Sequence, residues 1–202
     1  MNIANCISCQ DFPCEDINKE SYVLPNIEID SSKIKLLMIS EAPPTDSKDY
    51  FYASNSPFYM ETTLNAFKDA GITVSSIKEI INKGFYLTTA IKCGKTGYKI
   101  SVSTIKTCSH LLEKELSFFP NIRVFLLMGD VAIKAFNYIA KRTSGKKAIP
   151  SGSTYKIRKA EFYYEDKRVF PSYLQTGKNY LIEKSKRTMI AEDIKNALAL
   201  IE

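Results

Sequence analysis

Four cysteines stand in a pattern that can grip a metal centre. Cys6 and Cys9 form a Cys-x-x-Cys pair near the amino terminus, and Cys93 and Cys108 lie in the body of the chain. Cys93 ends an apolar, strand-like run, and Cys108 falls in the helical pattern that follows. A strand, a loop and a helical turn can bring those two together. Four thiolates suffice for a tetrahedral zinc or a 4Fe-4S cluster. The same residues also read as two core thiols behind a frayed tail. Cys14 is the fifth, and Phe12-Pro13 before it interrupts any regular continuation of the spacing. An odd count in a chain whose start lacks a secretory pattern argues against a disulfide framework. His110 is the single histidine, which excludes a His-rich zinc site.

The carboxylate of most interest is Glu41, in Ser40-Glu41-Ala42-Pro43-Pro44. It closes the apolar run Lys35–Ser40, where a functional group is more at home than a decorative one, although a cap or turn role is the alternative. Asp46 and Asp49 follow in the next loop as further acids. Phe58 reads either as core or as a stacking platform. Lys178, Lys184, Lys186 and Arg187 gather around the start of the last helix. Such a cluster is either a solvated face or a grip for phosphates.

These residues need elements to hold them. Lys35–Ser40 and Val124–Met128 read as strands buried on both faces, and Phe85–Lys92 and Val169–Tyr173 as two more. Helical spacing covers about Met60–Ala70, Ser101–Phe118, Asp130–Ala140 and Ser185–Ile201, while Thr154–Arg168 alternates like a hairpin. Strand and helix therefore alternate, which predicts an α/β fold. The expected architecture is a three-layer α/β/α sandwich around a central, mainly parallel four-stranded sheet. Residues 1–202 form one domain, with residues 1–30 as an arm carrying two of the cysteines. In such folds ligands bind beyond the carboxyl ends of the strands. Ser40-Glu41, Lys92-Cys93 and Pro171-Ser172-Tyr173 are three of those ends.

The totals agree with a globular protein: 202 residues, 45% hydrophobic and 25% charged, with 11 Phe, 12 Tyr and no Trp. A net charge of +6 suits a polyanionic partner without demanding one. No apolar run approaches membrane-spanning length, so a soluble, cytoplasmic monomer is expected.

Taken in order, Cys-x-x-Cys, a strand ending in Glu-Ala-Pro, Pro57-Phe58 before a helix, Lys92-Cys93 ending a strand and Cys108 in the next helix resemble the iron–sulfur uracil-DNA glycosylases, family 4 and its relatives. Val124–Ala132 and Pro171-Ser172-Tyr173 fit the same pattern, which spans nearly the whole chain. The resemblance implies that Cys6, Cys9, Cys93 and Cys108 hold a 4Fe-4S cluster. It implies that Glu41 orients water or stabilises a cationic sugar; Asp46 and Asp49 in the next loop are the alternatives for that role. The base site would be Ala42, Phe58, Thr89 and Leu174, with Phe58 stacked on a flipped base. The DNA grip would be Lys178, Lys184, Lys186 and Arg187. Two departures stand out: Thr89 replaces the Asn that reads the base edge, and Leu174-Gln175-Thr176 replaces His-Pro-Ser.

The implied activity is a monofunctional DNA glycosylase that hydrolyses the N-glycosidic bond of uracil or a related altered base in base-excision repair. Such chemistry requires the base to leave the stack. The alternatives are a non-catalytic, nucleic-acid-binding iron–sulfur protein with a glycosylase fold, and a zinc-stapled nucleotide-binding domain.

Overall fold

A computed structural model describes residues 1–97 and 99–202. Its centre is a five-stranded sheet built from β2 (Leu36–Ser40), β3 (Phe85–Thr89), β5 (Val124–Met128), β6 (Phe162–Tyr164) and β7 (Lys167–Ser172). The order is β3-β2-β5-β7-β6. The first four strands are parallel, and β6 runs antiparallel to β7. The expected sheet therefore gains a fifth strand, because part of the alternating stretch 154–168 turns back as a hairpin on β7. Its beginning instead forms a short helix, α5 (Thr154–Ile157).

Residues of β2, β3 and β5 are buried on both faces, which is why these runs read as continuously apolar. Leu37, Ile39, Tyr86, Phe125 and Leu127 point to one core, which is covered by α3 (Val102–Leu116) and α4 (Asp130–Ser144). Leu36, Met38, Phe85, Leu87, Val124 and Leu126 point to the other. That face is covered by α1 (Phe58–Asp69), α2 (Ile77–Asn82) and α7 (Lys184–Leu198). Three layers result, as expected. A short α6 (Lys178–Ile182) precedes α7. Among the described residues no helix is long and apolar enough to cross a membrane.

The arm is stapled to the body rather than frayed. Ile3, Ile7, Ile17 and Ile29 are buried in the α3/α4 core. A short β1 (Ile17–Asn18) pairs antiparallel with β4 (Gly94–Lys95). Asp16 accepts from the Ser101 amide at 2.6 Å and from the Thr104 hydroxyl, so it caps the start of α3 from outside. These bonds hold its carboxyl below the usual range, outweighing the upward push of burial.

Candidate active site and cysteine cavity

The carboxyl ends of β2, β3 and β7 converge, and the hydrogen-bond ladder between β2 and β3 continues past both strands. The Ala90 amide donates to the Ser40 carbonyl at 2.8 Å, and the Ile91 amide donates to the Glu41 carbonyl at 3.0 Å. Glu41 is thus fixed by its backbone at the strand end. Its side chain leans over the first turn of α4, where the Val131 amide donates to Oε1 at 3.4 Å. No side chain of its own caps that helix, so Glu41 supplies negative charge where the helix dipole favours it. Gly129 makes the approach possible: its φ is +99°, and a Cβ there would lie 2.7 Å from Glu41 Oε1. Lys95 Nζ stands 3.9 Å from Oε2. The cap role and a chemical role are therefore both open to this carboxylate.

Phe58 opens α1, and Pro57 before it offers no side-chain cap. Asp49 substitutes from the preceding loop, accepting from the Phe58 amide at 3.4 Å. Phe58 is half-buried; among the described residues packed into the two cores it has no place, although its neighbours Tyr59 and Met60 do. A ring so placed is available to a ligand. The Tyr59 hydroxyl donates to the Ala42 carbonyl at 3.2 Å, which ties α1 to the Glu41 segment. Burial pushes its phenol up to about 12. Asp46, in contrast, is exposed and spends its carboxylate capping a short 3-10 turn through the Lys48 amide. It is a local cap, and Asp49 is the acid that faces the cluster.

Thr89 ends β3, fully buried, and its hydroxyl has no hydrogen-bond partner. Leu174 follows β7 and packs half-buried against the α1/α7 core. Gln175 offers no donor for a leaving base, because it is fully buried with its amide turned inward. Its oxygen accepts from Ser40 Oγ at 3.1 Å, and its nitrogen faces Met38 Sδ at 3.4 Å. Ser172 is likewise committed, donating to Asp193 on α7 at 2.6 Å.

The cysteines sort differently from the spacing. Cys9, Cys14, Cys93 and Cys108 line one cavity of about 380 Å³, bordered by Phe12, Tyr22, Lys92 and His110. Cys6 is turned away, with its thiol donating to the Asn2 carbonyl at 3.3 Å. The chain reverses at Phe12, whose φ of +40° lets both Cys9 and Cys14 face inward. Phe12 rests edge-on against Tyr22, whose hydroxyl accepts from the Cys9 amide at 3.0 Å. Burial, with the neighbouring thiols adding to it, raises the Cys93 thiol to about 12. Burial also raises Cys108, to about 11, against the opposing pull of Lys92. Among the described residues no three His, Cys, Asp or Glu side chains stand close enough to hold a single metal ion.

Of the basic residues, Lys178 and Lys184 are exposed. Lys186 pairs with Glu183 at 2.7 Å, and Arg187 forks onto Asp69 at 2.9 and 3.0 Å. Arg187 is therefore a staple between α7 and α1 rather than an open phosphate ligand.

Residues 28–195 match the model of the uracil DNA glycosylase superfamily. The chain belongs to that superfamily. It is also similar to the type-5 uracil-DNA glycosylase of Thermus thermophilus, 33% identical over 52 residues. That match covers 26% of this chain and 24% of the relative. The sequence motifs pointed to the iron–sulfur branch of the same superfamily; the superfamily is what the match establishes.

Sequence reasoning passed over several residues of the site. Nothing in the spacing marks Tyr59, whose hydroxyl bonds the Ala42 carbonyl, as a neighbour of the Glu41 segment. Cys14 was set aside because a Phe-Pro step breaks a linear motif, while the folded turn depends on a left-handed backbone at Phe12.

Proposed function

We propose that this protein is a DNA glycosylase that hydrolyses the N-glycosidic bond of uracil or a related altered base in DNA. The observation that carries the reading is the Glu41 carboxylate, fixed at the end of β2, fed by the α4 N-terminus and joined by the Tyr59–Ala42 bond to the helix bearing Phe58. A base drawn from the duplex would stack on Phe58, which brings its sugar toward the carboxylate. Glu41 then stabilises the developing positive charge on the sugar and orients the attacking water. A carboxylate working on water predicts hydrolysis without a lyase step.

The leaving base is served less well. Leu174 has no side-chain donor, and Gln175 is occupied, so stabilisation of an anionic base falls to backbone amides. Losing one preorganised donor typically costs on the order of 10²–10³ in rate. That deficit favours the second reading, a non-catalytic DNA-binding protein on the same fold. Excision assays on duplexes carrying uracil, hypoxanthine, xanthine or a mismatch decide between them. Release of any of these bases, abolished by Glu41→Gln, supports the enzyme; retention of all of them with intact DNA binding supports the alternative.

The cysteine cavity suits a 4Fe-4S cluster by its donor set: four thiols from the arm, the segment after β3 and α3 line one open cavity. When bound, it would supply a covalent clamp between arm and body. Cys9, Cys14, Cys93 and Cys108 are the residues that would hold it.

A further inference from the structure

Among the described residues, four buried hydroxyls lack any hydrogen-bond partner: Tyr50, Thr63, Thr89 and Thr176. Three of them belong to the same end of the sheet. Thr89 closes β3, Thr176 lies in the loop after β7, and Tyr50 sits in the segment that leads from Glu41 to Phe58. Each unmade bond costs free energy, and buried polar groups are partnered in the great majority of folded chains. Buried hydroxyls without partners at a strand end are groups that a ligand could satisfy.

Tyr50 is 3% exposed, and its ring packs on Phe51 at 5.3 Å and Tyr52 at 5.8 Å. Its hydroxyl is set against the Thr89 and Thr88 side chains, in front of Glu115. Thr88 is already spent, donating to Glu115 at 2.9 Å. That leaves the Tyr50 and Thr89 hydroxyls facing one another with no third partner. Tyr52 contrasts sharply: its hydroxyl bonds both the carbonyl and the amide of Leu87, at 2.7 and 3.3 Å. The idle phenol next to it is therefore no consequence of poor reach in this segment.

We propose that Tyr50 is a specificity-determining residue, which with Thr89 forms a two-hydroxyl reader for the edge of the flipped base. This rests on the glycosylase reading and supplies what Thr89 alone cannot. One threonine hydroxyl makes one contact where an asparagine amide makes two, and the phenol restores the second. Each hydroxyl both donates and accepts, so the pair suits a carbonyl beside an N–H on a pyrimidine or a purine.

The test is equilibrium binding of a duplex carrying non-hydrolysable 2′-fluoroarabino-uracil, compared with the undamaged duplex, together with thermal unfolding. Tyr50→Phe should keep or raise the unfolding temperature, since it deletes an unsatisfied buried group. It should lower the preference for the modified duplex about ten-fold, the order expected for one hydrogen bond in a dry site. Binding of the undamaged duplex should not change. Thr89→Val should behave alike, and a hypoxanthine duplex should lose as much as the uracil one. Retention of the preference in both variants, or destabilisation by Tyr50→Phe, overturns the assignment and leaves the glycosylase reading standing. A wild type with no preference for the modified duplex overturns both.

Discussion

Lys92 Nζ lies 2.5 Å from Glu115 Oε2, with the two side chains 1% and 0% exposed. Glu115 also accepts from Tyr86 at 2.7 Å and Thr88 at 2.9 Å, and Lys92 donates to Thr88 at 2.8 Å and to the Thr89 carbonyl. The network joins the end of β3 to α3 at Thr89 and one residue from Cys93. Such a pair gains little net stability over an apolar replacement, yet breaking it leaves an uncompensated buried charge. Glu115→Ala should therefore cost roughly 3–5 kcal/mol. The paired replacement Lys92→Met with Glu115→Leu should cost much less. Urea unfolding of the single and double variants measures this, and equal losses would refute the coupling.

Gly129 bears on Glu41 in a way that a second double-mutant cycle isolates. All three atoms nearest a Cβ at this position belong to Glu41, at 2.7, 2.9 and 3.1 Å. Gly129→Ala should therefore push the carboxylate off the α4 terminus as well as strain a left-handed backbone. The expected loss is about 1–3 kcal/mol, accompanied by loss of base excision. In a Glu41→Ala background the steric part should vanish, leaving only the backbone strain. Identical stability losses in both backgrounds would show that Glu41 is not what crowds Gly129.

The layering of this fold was legible because its causes are local. Leu36–Ser40 and Val124–Met128 are apolar at almost every position, and only a parallel strand between two helical layers asks for that. Ile105, Leu112 and Leu116 recur at helical spacing, which marks α3 without any tertiary information. The fifth strand escaped because Phe162–Tyr164 is half-exposed and short, with pairing supplied wholly by β7. The site divided in the same way. Glu41 and Thr89 stand at strand ends and could be named; Tyr50 and Cys14 enter it through turns whose geometry is tertiary.

The basic cluster at α7 should split by function. Lys178 and Lys184 are exposed, and if they meet phosphate, each releases counterions on binding. Lys178→Glu with Lys184→Glu should weaken binding to undamaged duplex and flatten the salt slope by about one for each phosphate no longer neutralised. Arg187→Glu should act on the fold instead, since it breaks the fork onto Asp69 and the stacking of the guanidinium 5.2 Å from the Tyr180 ring centroid. The Arg187–Asp69 pair is about a third exposed, which holds its contribution to within about 1 kcal/mol. A salt slope changed by Arg187→Glu but not by the two lysines would move the DNA footprint from the lysines to Arg187.

The cysteines allow the sharpest separation, because motif and geometry name different sets. The linear Cys-x-x-Cys pattern selects Cys6 with Cys9; the folded arm presents Cys9 with Cys14 and turns Cys6 onto the Asn2 carbonyl. Recruiting Cys6 would break that bond and unwind the 3-10 turn over Ile3–Asn5, whose Ile3 is fully buried. Keeping Cys14 requires no such change. In protein purified without air, Cys14→Ala, Cys9→Ala, Cys93→Ala and Cys108→Ala should each lower bound iron and visible absorption, while Cys6→Ala should leave both near wild type. The four depleted variants should also lose protease resistance in residues 1–30, since the clamp between arm and body is gone. Iron loss on Cys6→Ala with retention on Cys14→Ala would restore the linear motif, and full iron in all five variants would remove the cluster from this cavity.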